Sequence, residues 1–507
     1  MPLQNGVSLG SLPRELFDAV MSNIEDRADF SSLSRTCKAI RSLTIQLVFE
    51  NVTMLWANNV RQRYDVRDSQ MIANLRKQNS RVTETEPGCE CPRLDLLLRS
   101  ILENPKLGNY VQKINLQCFG WDRARFGRKP NLPPPPDTDE YQALVLAAMR
   151  RTGISKSRLK EHFELGLKTN EIDIAIDFLI VLCPNIESLT LSVDIVARNP
   201  VLRLLLEDYA WSPDTSECIL RLQHLKDIQF GTGTHRGECG NTLDTLVRTE
   251  PGRDLLLQLH SCFNILSLPE LKEAQLSLPL LIGVWEREAY RLPVEAKPSS
   301  TMQVLRLHQC AIEPSFLQSL LNLTPFITHL EYEFELYSYI KMQAQDLAPA
   351  LSCIKRSLKH LKITLDMWST GDQFMGQYLE FNEEYEYIEG HCSLRELVAL
   401  ETVTIPSCIL LGWTNSKSPD LVDVLPENLV SICLTDDFGW CDSYEKEEEE
   451  MLPILRKFVA GNSWTRTSPR LEGVNIKAHE WKAVDETVAL FKDSGLACEV
   501  TVFSGRD

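Results

Sequence analysis

Long hydrophobic runs are missing from this sequence. No apolar stretch approaches the roughly 18 residues that a helix needs to cross a bilayer, and no apolar leader precedes Leu12. We therefore expect no membrane span and a location in the cytoplasm, the nucleus or both.

Paired cysteines and metal-ligand clusters are also scarce. The 15 cysteines are odd in number, scattered and mostly set among apolar residues, which predicts buried free thiols. The one close pair, Cys89 and Cys91, lacks the second pair or nearby histidine that would complete four zinc ligands. We expect no metal site and no cofactor.

Sequence signals for catalysis are incomplete. In the glycine-rich stretch from Gly231 to Gly237, the third glycine comes one residue too late for a dinucleotide loop. His479 and Glu480 are followed by Ala483 where a zinc protease helix has its second histidine. The residues therefore predict no catalytic site, although a triad assembled in space stays open.

Positive charge is in deficit. The 507 residues include 53 lysines and arginines against 70 aspartates and glutamates, a net charge of −17. An acidic surface repels the nucleic-acid backbone and anionic membranes, so neither is expected as the main partner. The 43% of apolar residues is ample for packed cores, which indicates a globular chain.

What the chain does contain begins with an apolar pattern over Ser11–Val52. Leu12, Leu16, Val20 and Ile24 recur every fourth residue and predict one face of a short helix, with Pro13 in its first turn. Asp29 is predicted to cap the second helix, and six apolar residues predict this helix and a third. They are Phe30, Leu33, Cys37, Ile40, Leu43 and Leu47. A unit of this size cannot bury all of these side chains, so we expect an exposed apolar patch that binds a partner.

The order and spacing of these residues resemble the F-box family. The matching residues are Leu12-Pro13-x-Glu15-Leu16, Ile24, Asp29-Phe30-x-x-Leu33-Ser34, Cys37-Lys38 and Leu43. The resemblance implies docking on the Skp-type adaptor of an SCF ubiquitin ligase, and through it on a cullin. The implied adaptor-binding residues are Leu12, Pro13, Leu16, Val20, Ile24, Leu33, Cys37 and Ile40. A helical cap packed on its own domain is the alternative.

Downstream, helical stretches lead repeatedly into a short triplet of the form apolar-x-x-apolar-x-apolar. The ten candidates are Val111/Ile114/Leu116, Ile186/Leu189/Leu191, Leu225/Ile228/Phe230, Leu271/Ala274/Leu276, Met302/Leu305/Leu307, Ile327/Leu330/Tyr332, Leu358/Leu361/Ile363, Leu400/Val403/Ile405, Leu429/Ile432/Leu434 and Leu471/Val474/Ile476. The change from helical spacing to alternation predicts a helix followed by a strand, and the unit resembles a degenerate leucine-rich repeat.

The predicted fold is therefore α/β: an N-terminal three-helix F-box at 8–48, then an irregular leucine-rich-repeat-like solenoid at 49–507 with a parallel sheet on its concave face. Insertions are expected near 65–95, 120–140 and 154–170. In the second, Pro133–Pro136 fits either a polyproline ligand or a stiff loop before a helix.

Ile405–Leu434 adds a second resemblance, to a segment of filamentous-fungal F-box proteins. The matching residues are Leu410-Leu411-Gly412-Trp413 and Leu425-Pro426-x-Asn428-Leu429. It implies architecture and no particular ligand.

An acidic region follows this segment. Asp436 and Asp437, with Trp440 and Tyr444 as aromatic anchors, are candidates for binding a basic substrate segment, together with the run Glu445–Glu450. A solvated helical surface is the simpler interpretation of the acidic run.

These features favour a non-catalytic recruiter that binds the adaptor through the F-box and an unknown protein substrate through the solenoid. Two alternatives stay open. One is an F-box scaffold that binds the adaptor outside a ligase, and the other is an α/β enzyme with its active site in the loops after the strands.

Overall fold

The structure, a computed structural model, describes residues 19–21, 23–24, 27–57, 93–119, 139–154, 157, 159–169, 171–192, 195–196, 199, 201–202, 204–205, 222–232, 264–277, 298–310, 312–337, 341–368, 387–413, 418–436, 448–478 and 481–502. The chain divides into two compact units, Met1–Cys262 (unit 1) and Phe263–Asp507 (unit 2). Each unit is α/β, and its described strands pair in parallel. None of the described helices is both long and apolar enough to span a bilayer.

Unit 1 combines helices with a four-stranded sheet. Its helices are α1 (Arg27–Ser34), α2 (Lys38–Glu50), α3 (Leu94–Glu103), α4 (Asp139–Thr152), α5 (Lys160–Thr169) and α6 (Ile172–Leu182). Its strands are β1 (Asn51–Ala57), β2 (Lys113–Phe119), β3 (Ser188–Ser192) and β4 (Asp227–Thr232), paired in that order. Parallel neighbours require crossover connections; α3 lies in the connection from β1 to β2, and α4, α5 and α6 lie in the connection from β2 to β3.

Unit 2 contains a larger parallel sheet. Its strands are β5 (Glu273–Ser277), β6 (Val304–Cys310), β7 (His329–Tyr337), β8 (Met342–Gln343), β9 (His360–Trp368), β10 (Ile388–Glu389), β11 (Thr402–Pro406), β12 (Ser431–Thr435), β13 (Gly473–Ala478) and β14 (Ala497–Val502). Eight of them form one sheet in the order β5-β6-β7-β9-β11-β12-β13-β14, while β8 and β10 pair separately. Its helices are α7 (Pro314–Leu323), α8 (Leu347–Leu351), α9 (Ser407–Leu411), α10 (Leu421–Val424), α11 (Glu448–Val459), α12 (Trp464–Thr467) and α13 (Val484–Asp493).

The ten predicted triplets form the core side of these sheets. Each lies in or just before a strand, and all of their side chains are at most 4% exposed. The pairing register aligns them across neighbouring strands, so that Leu330 lies beside Leu305 and Leu361, and Val403 beside Ile432. An apolar ladder of this kind holds the register, because a slip of one residue would turn every side chain to the other face.

Helix α6 is the most enclosed element of unit 1. All of its residues are buried, and it contacts α3, α4 and α5. The segment 154–170, expected to be an insertion, contains α5, whose Phe163 packs on Phe178 with ring centroids 5.8 Å apart. A Cβ added at Gly166 would lie only 2.2 Å from Ile174, so the close approach of α5 to α6 requires glycine there.

Two element boundaries differ from the sequence prediction. The prediction of Asp29 as an N-cap is wrong, because α1 begins at Arg27 and Asp29 lies in its first turn. A carboxylate there still favours the helix through its dipole. Helix α2 also continues through Glu50, two residues past the predicted end of the F-box at residue 48, and β1 begins at Asn51.

The Leu410–Trp413 motif has a packing role in unit 2. Helix α9 ends at Gly412, whose φ of +87° suits glycine and whose Cβ position lies 3.2 Å from the carbonyl oxygen of Gly390. Trp413 then packs edge-on against Tyr387, with ring centroids 5.6 Å apart. The motif therefore ties α9 to the segment around β10.

Candidate functional site

The first candidate site is the N-terminal helical surface, defined by those predicted adaptor-binding residues that the structure describes. Val20 is 42% exposed, Ile24, Leu33 and Ile40 are half-buried, and Cys37 is exposed. Leu12, Pro13 and Leu16 lie outside the described residues. Only part of the predicted patch is therefore placed, and the placed part is accessible to a partner.

Local bonds explain how this surface is held. Cys37 is the N-cap of α2: its extended backbone positions Sγ to accept a hydrogen bond from the Ile40 amide at 3.5 Å. Thr44, fully buried, donates to the carbonyl of Ile40 at 2.9 Å. Among the described side chains of this helical region, Met21 (3% exposed) and Thr44 are buried, while the predicted residues are more exposed.

The second candidate site is the face of the unit 2 sheet that carries the residues between the apolar positions, here called the polar sheet face. Arg306, Glu331 and Lys362 lie side by side on β6, β7 and β9. Arg306 donates to Glu331 and to Glu273, both at 3.1 Å, and Lys362 donates to Glu331 at 3.4 Å. Although burial acts in the opposite direction, Lys362 and Arg306 lower the pKa of Glu331, so this row stays charged at neutral pH.

Histidines form the next features of the polar sheet face. His329 and His360, paired across β7 and β9, stack with ring centroids 4.2 Å apart. Burial, followed by repulsion from His360 and Arg306, lowers the pKa of His329. On β6, Nδ1 of His308 lies 2.9 Å from a carboxylate oxygen of Glu333. The polar sheet face can therefore recognise a ligand through hydrogen bonds and local charge.

The acidic substrate-binding candidates are placed only in part. Asp436 is half-buried after β12, and its amide donates to the carbonyl of Lys477 at 2.8 Å. Asp437, Trp440 and Tyr444 lie outside the described residues. Helix α11 begins at Glu448 and buries Met451, Leu452 and Leu455, as its apolar spacing predicts; each of these side chains is at most 8% exposed.

Several other predicted features fall outside the described residues. These are the pair Cys89 and Cys91, the prolines Pro133–Pro136, the glycine-rich stretch after Thr232, and His479 with Glu480. In the parts of the chain that the structure describes, no group of three or more histidine, cysteine, aspartate or glutamate residues could hold a metal ion.

The polar sheet face was missed by the sequence reasoning. The signal was present, because Arg306, Glu331 and Lys362 each precede the third apolar residue of their triplet. Only the strand register shows that these three positions are neighbours, since the spacing between repeats is too irregular to align them from the sequence.

Comparison of the chain with protein-family models finds no matching family, and comparison with curated proteins finds no matching relative.

Proposed function

We propose that this chain is the substrate-recognition subunit of an SCF-type ubiquitin ligase. Residues 8–48 act as an F-box that binds the Skp-type adaptor, and residues 49–507 form a leucine-rich-repeat-like solenoid that binds a protein substrate. The observation that carries the proposal is the accessible apolar surface of Val20, Ile24, Leu33 and Ile40, which matches the F-box pattern in the sequence.

The direct connection between α2 and β1 supports a chain that binds the adaptor through its helical region and the substrate through the sheet that follows. Helix α2 ends at Glu50 and β1 begins at the next residue, so the helical region is joined to the sheet without a linker. A short, direct connection limits how far a bound partner can move relative to the sheet that follows. Such rigidity suits a subunit that must hold a substrate at a defined place.

The repeated helix-to-strand order supports the solenoid. Neither a helix nor a strand of one repeat can bury both of its faces alone, so stacking successive repeats completes the core. The aligned triplets form that core, and the polar sheet face is left for binding the substrate. In this proposal the chain breaks no bond itself; it raises the local concentration of substrate lysines near the conjugating enzyme.

The first prediction tests the F-box. Val20→Asp combined with Ile24→Asp should reduce co-purification of the Skp-type adaptor by at least about tenfold, because each change buries a carboxylate in an apolar contact. Leu12→Asp, and Pro13→Ala with Leu16→Asp, should act in the same way. Adaptor recovery with the tagged full-length chain is the measurement.

Leu165→Asp is the matched control, since Leu165 is 62% exposed on α5 in the same unit. It should leave adaptor recovery unchanged, and all variants should melt at similar temperatures. Undiminished adaptor binding by the Val20/Ile24 variant contradicts the assignment. Recovery of a cullin with the wild-type chain distinguishes a ligase subunit from a scaffold that holds the adaptor alone.

A further inference from the structure

A cleft of about 570 Å³ lies along α2 in unit 1. Three exposed cations, Arg35, Lys38 and Arg41, line it together with three half-buried apolar side chains, Ile45, Val48 and Phe49. We call it the basic cleft. It combines charge at its accessible positions with apolar surface that is only partly covered.

The basic cleft occupies its own side of α2. Lys38, Arg41, Ile45 and Val48 follow one another at helical spacings of three or four and therefore share a face. Ile40, one of the predicted adaptor-binding residues, lies on a different side of the helix. Of the eight predicted adaptor-binding residues, the basic cleft includes only Cys37.

The cations of the basic cleft lack carboxylate partners. Within the described part of the chain, the side chains of Arg35, Lys38 and Arg41 form no hydrogen bond or ion pair. By contrast, Lys226 and Lys359 elsewhere in the chain each contact a glutamate within 3.0 Å. In a chain with a net charge of −17, three neighbouring unpaired cations are a local exception to the acidic surface.

We infer that the basic cleft docks an acidic amphipathic helix of a partner protein. Carboxylates on the helix flanks pair with Arg35, Lys38 and Arg41, while its apolar stripe covers Ile45, Val48 and Phe49. A nucleic acid would use the cations and leave the apolar side chains exposed, and the acidic remainder of the chain repels a long polyanion. The inference goes beyond the proposed function, because the basic cleft and Ile40, a predicted adaptor-binding residue, lie on different sides of α2.

Fluorescence anisotropy with the full-length chain and labelled synthetic peptides tests the inference. The first probe is a helical peptide with leucine at every third or fourth position and glutamate on the flanks. A second probe replaces its glutamates with lysine, and a third replaces its leucines with serine. We expect the leucine and glutamate probe to bind, the other two to bind at least about tenfold more weakly, and added salt to weaken the binding.

Lys38→Glu combined with Arg41→Glu should weaken binding of the leucine and glutamate probe by about tenfold or more. Lys38→Gln with Arg41→Gln should give an intermediate loss. Arg150→Glu with Arg151→Glu is the matched control, because these exposed residues on α4 carry the same charge change within unit 1. Melting curves for every variant separate loss of binding from loss of folding.

Four outcomes overturn the inference. They are no binding of the leucine and glutamate probe to the wild-type chain, equal binding of either control probe, equal losses in the Arg150/Arg151 variant, and tighter binding to phosphatidylserine vesicles than to that probe. The Val20→Asp and Ile24→Asp variant should keep the peptide affinity while losing the adaptor. A failure of the proposed function is therefore distinguishable from a failure of this inference.

Discussion

At the scale of single residues, the polar sheet face contains a pH-sensitive group in His329, which belongs to the stacked histidine pair. Nδ1 of His329 lies 2.8 Å from Oγ1 of Thr328, and Nδ1 of His360 lies 2.8 Å from Oγ1 of Thr402. These hydroxyls orient the rings. His360 stacks on His329 at a centroid separation of 4.2 Å, so its repulsion adds to the effect of burial in lowering the pKa of His329.

His329→Gln should reduce the loss of stability on acidification. Burial, with repulsion from His360 and Arg306, lowers the pKa of His329 from 6.5, while Glu273 and Glu331 act in the opposite direction. The unfolded chain therefore takes up this proton at a higher pH than the folded chain. The stabilisation is complete above the unfolded pKa and is lost as the pH falls through the folded pKa.

Melting temperatures measured between about pH 7.5 and about pH 5.5 test this prediction. The decrease should be smaller for His329→Gln than for the wild-type chain. His162→Gln, on an exposed side chain of α5, is the control and should keep the wild-type decrease. Equal pH dependence in all three proteins would show that His329 titrates alike in the folded and unfolded chain.

At the scale of elements, a helix or a strand could be predicted from the sequence only where its apolar residues follow a clear spacing. The ten apolar triplets were predicted from their spacing, and each lies in or just before a strand with its apolar side chains buried. Helix α5 was assigned to an insertion because charges conceal its pattern, and Gly166, unfavourable in an isolated helix, is explained only by its contact with Ile174. Strand β14 was missed because its residues are mostly exposed and it pairs with β13 alone among the described strands.

Strand β14 depends on α13, which packs beside it. The hydroxyl of Thr487, fully buried in α13, accepts from the indole nitrogen of Trp481 at 3.0 Å and donates to the carbonyl of Ala483 at 2.8 Å. Thr487→Val keeps the volume but leaves the buried indole N–H without its acceptor, which should cost about 1–3 kcal/mol.

Thr487→Val should therefore lower the melting temperature and speed amide hydrogen exchange in Ala497–Val502, because a weakened α13 exposes β14 more often. Thr487→Ser retains the hydroxyl and is the matched control. If the valine and serine variants exchange at the same rate, the hydroxyl does not hold this end of the sheet.

At the scale of the whole molecule, each of the two units buries its own core. The unfolding of each unit can be followed through a cysteine that the unit buries. Eight cysteines in the described part of the chain are free thiols. Cys183 is buried in unit 1 and Cys392 in unit 2, while Cys37 is exposed at the start of α2. Burial raises the pKa of Cys183 strongly and that of Cys392 to about 12, so both thiols are protonated as well as covered.

Alkylation with N-ethylmaleimide, followed residue by residue with mass spectrometry, should therefore modify Cys37 in the native chain and leave Cys183 and Cys392 unmodified. Increasing denaturant should expose Cys183 when unit 1 opens and Cys392 when unit 2 opens, because a buried thiol reacts only through unfolding of the structure that covers it. Cys37→Ser should remove the native modification at that position and preserve the helix cap, since serine is a favoured N-cap residue. Modification of Cys183 or Cys392 in the native chain as fast as that of Cys37 would contradict the burial of these two thiols.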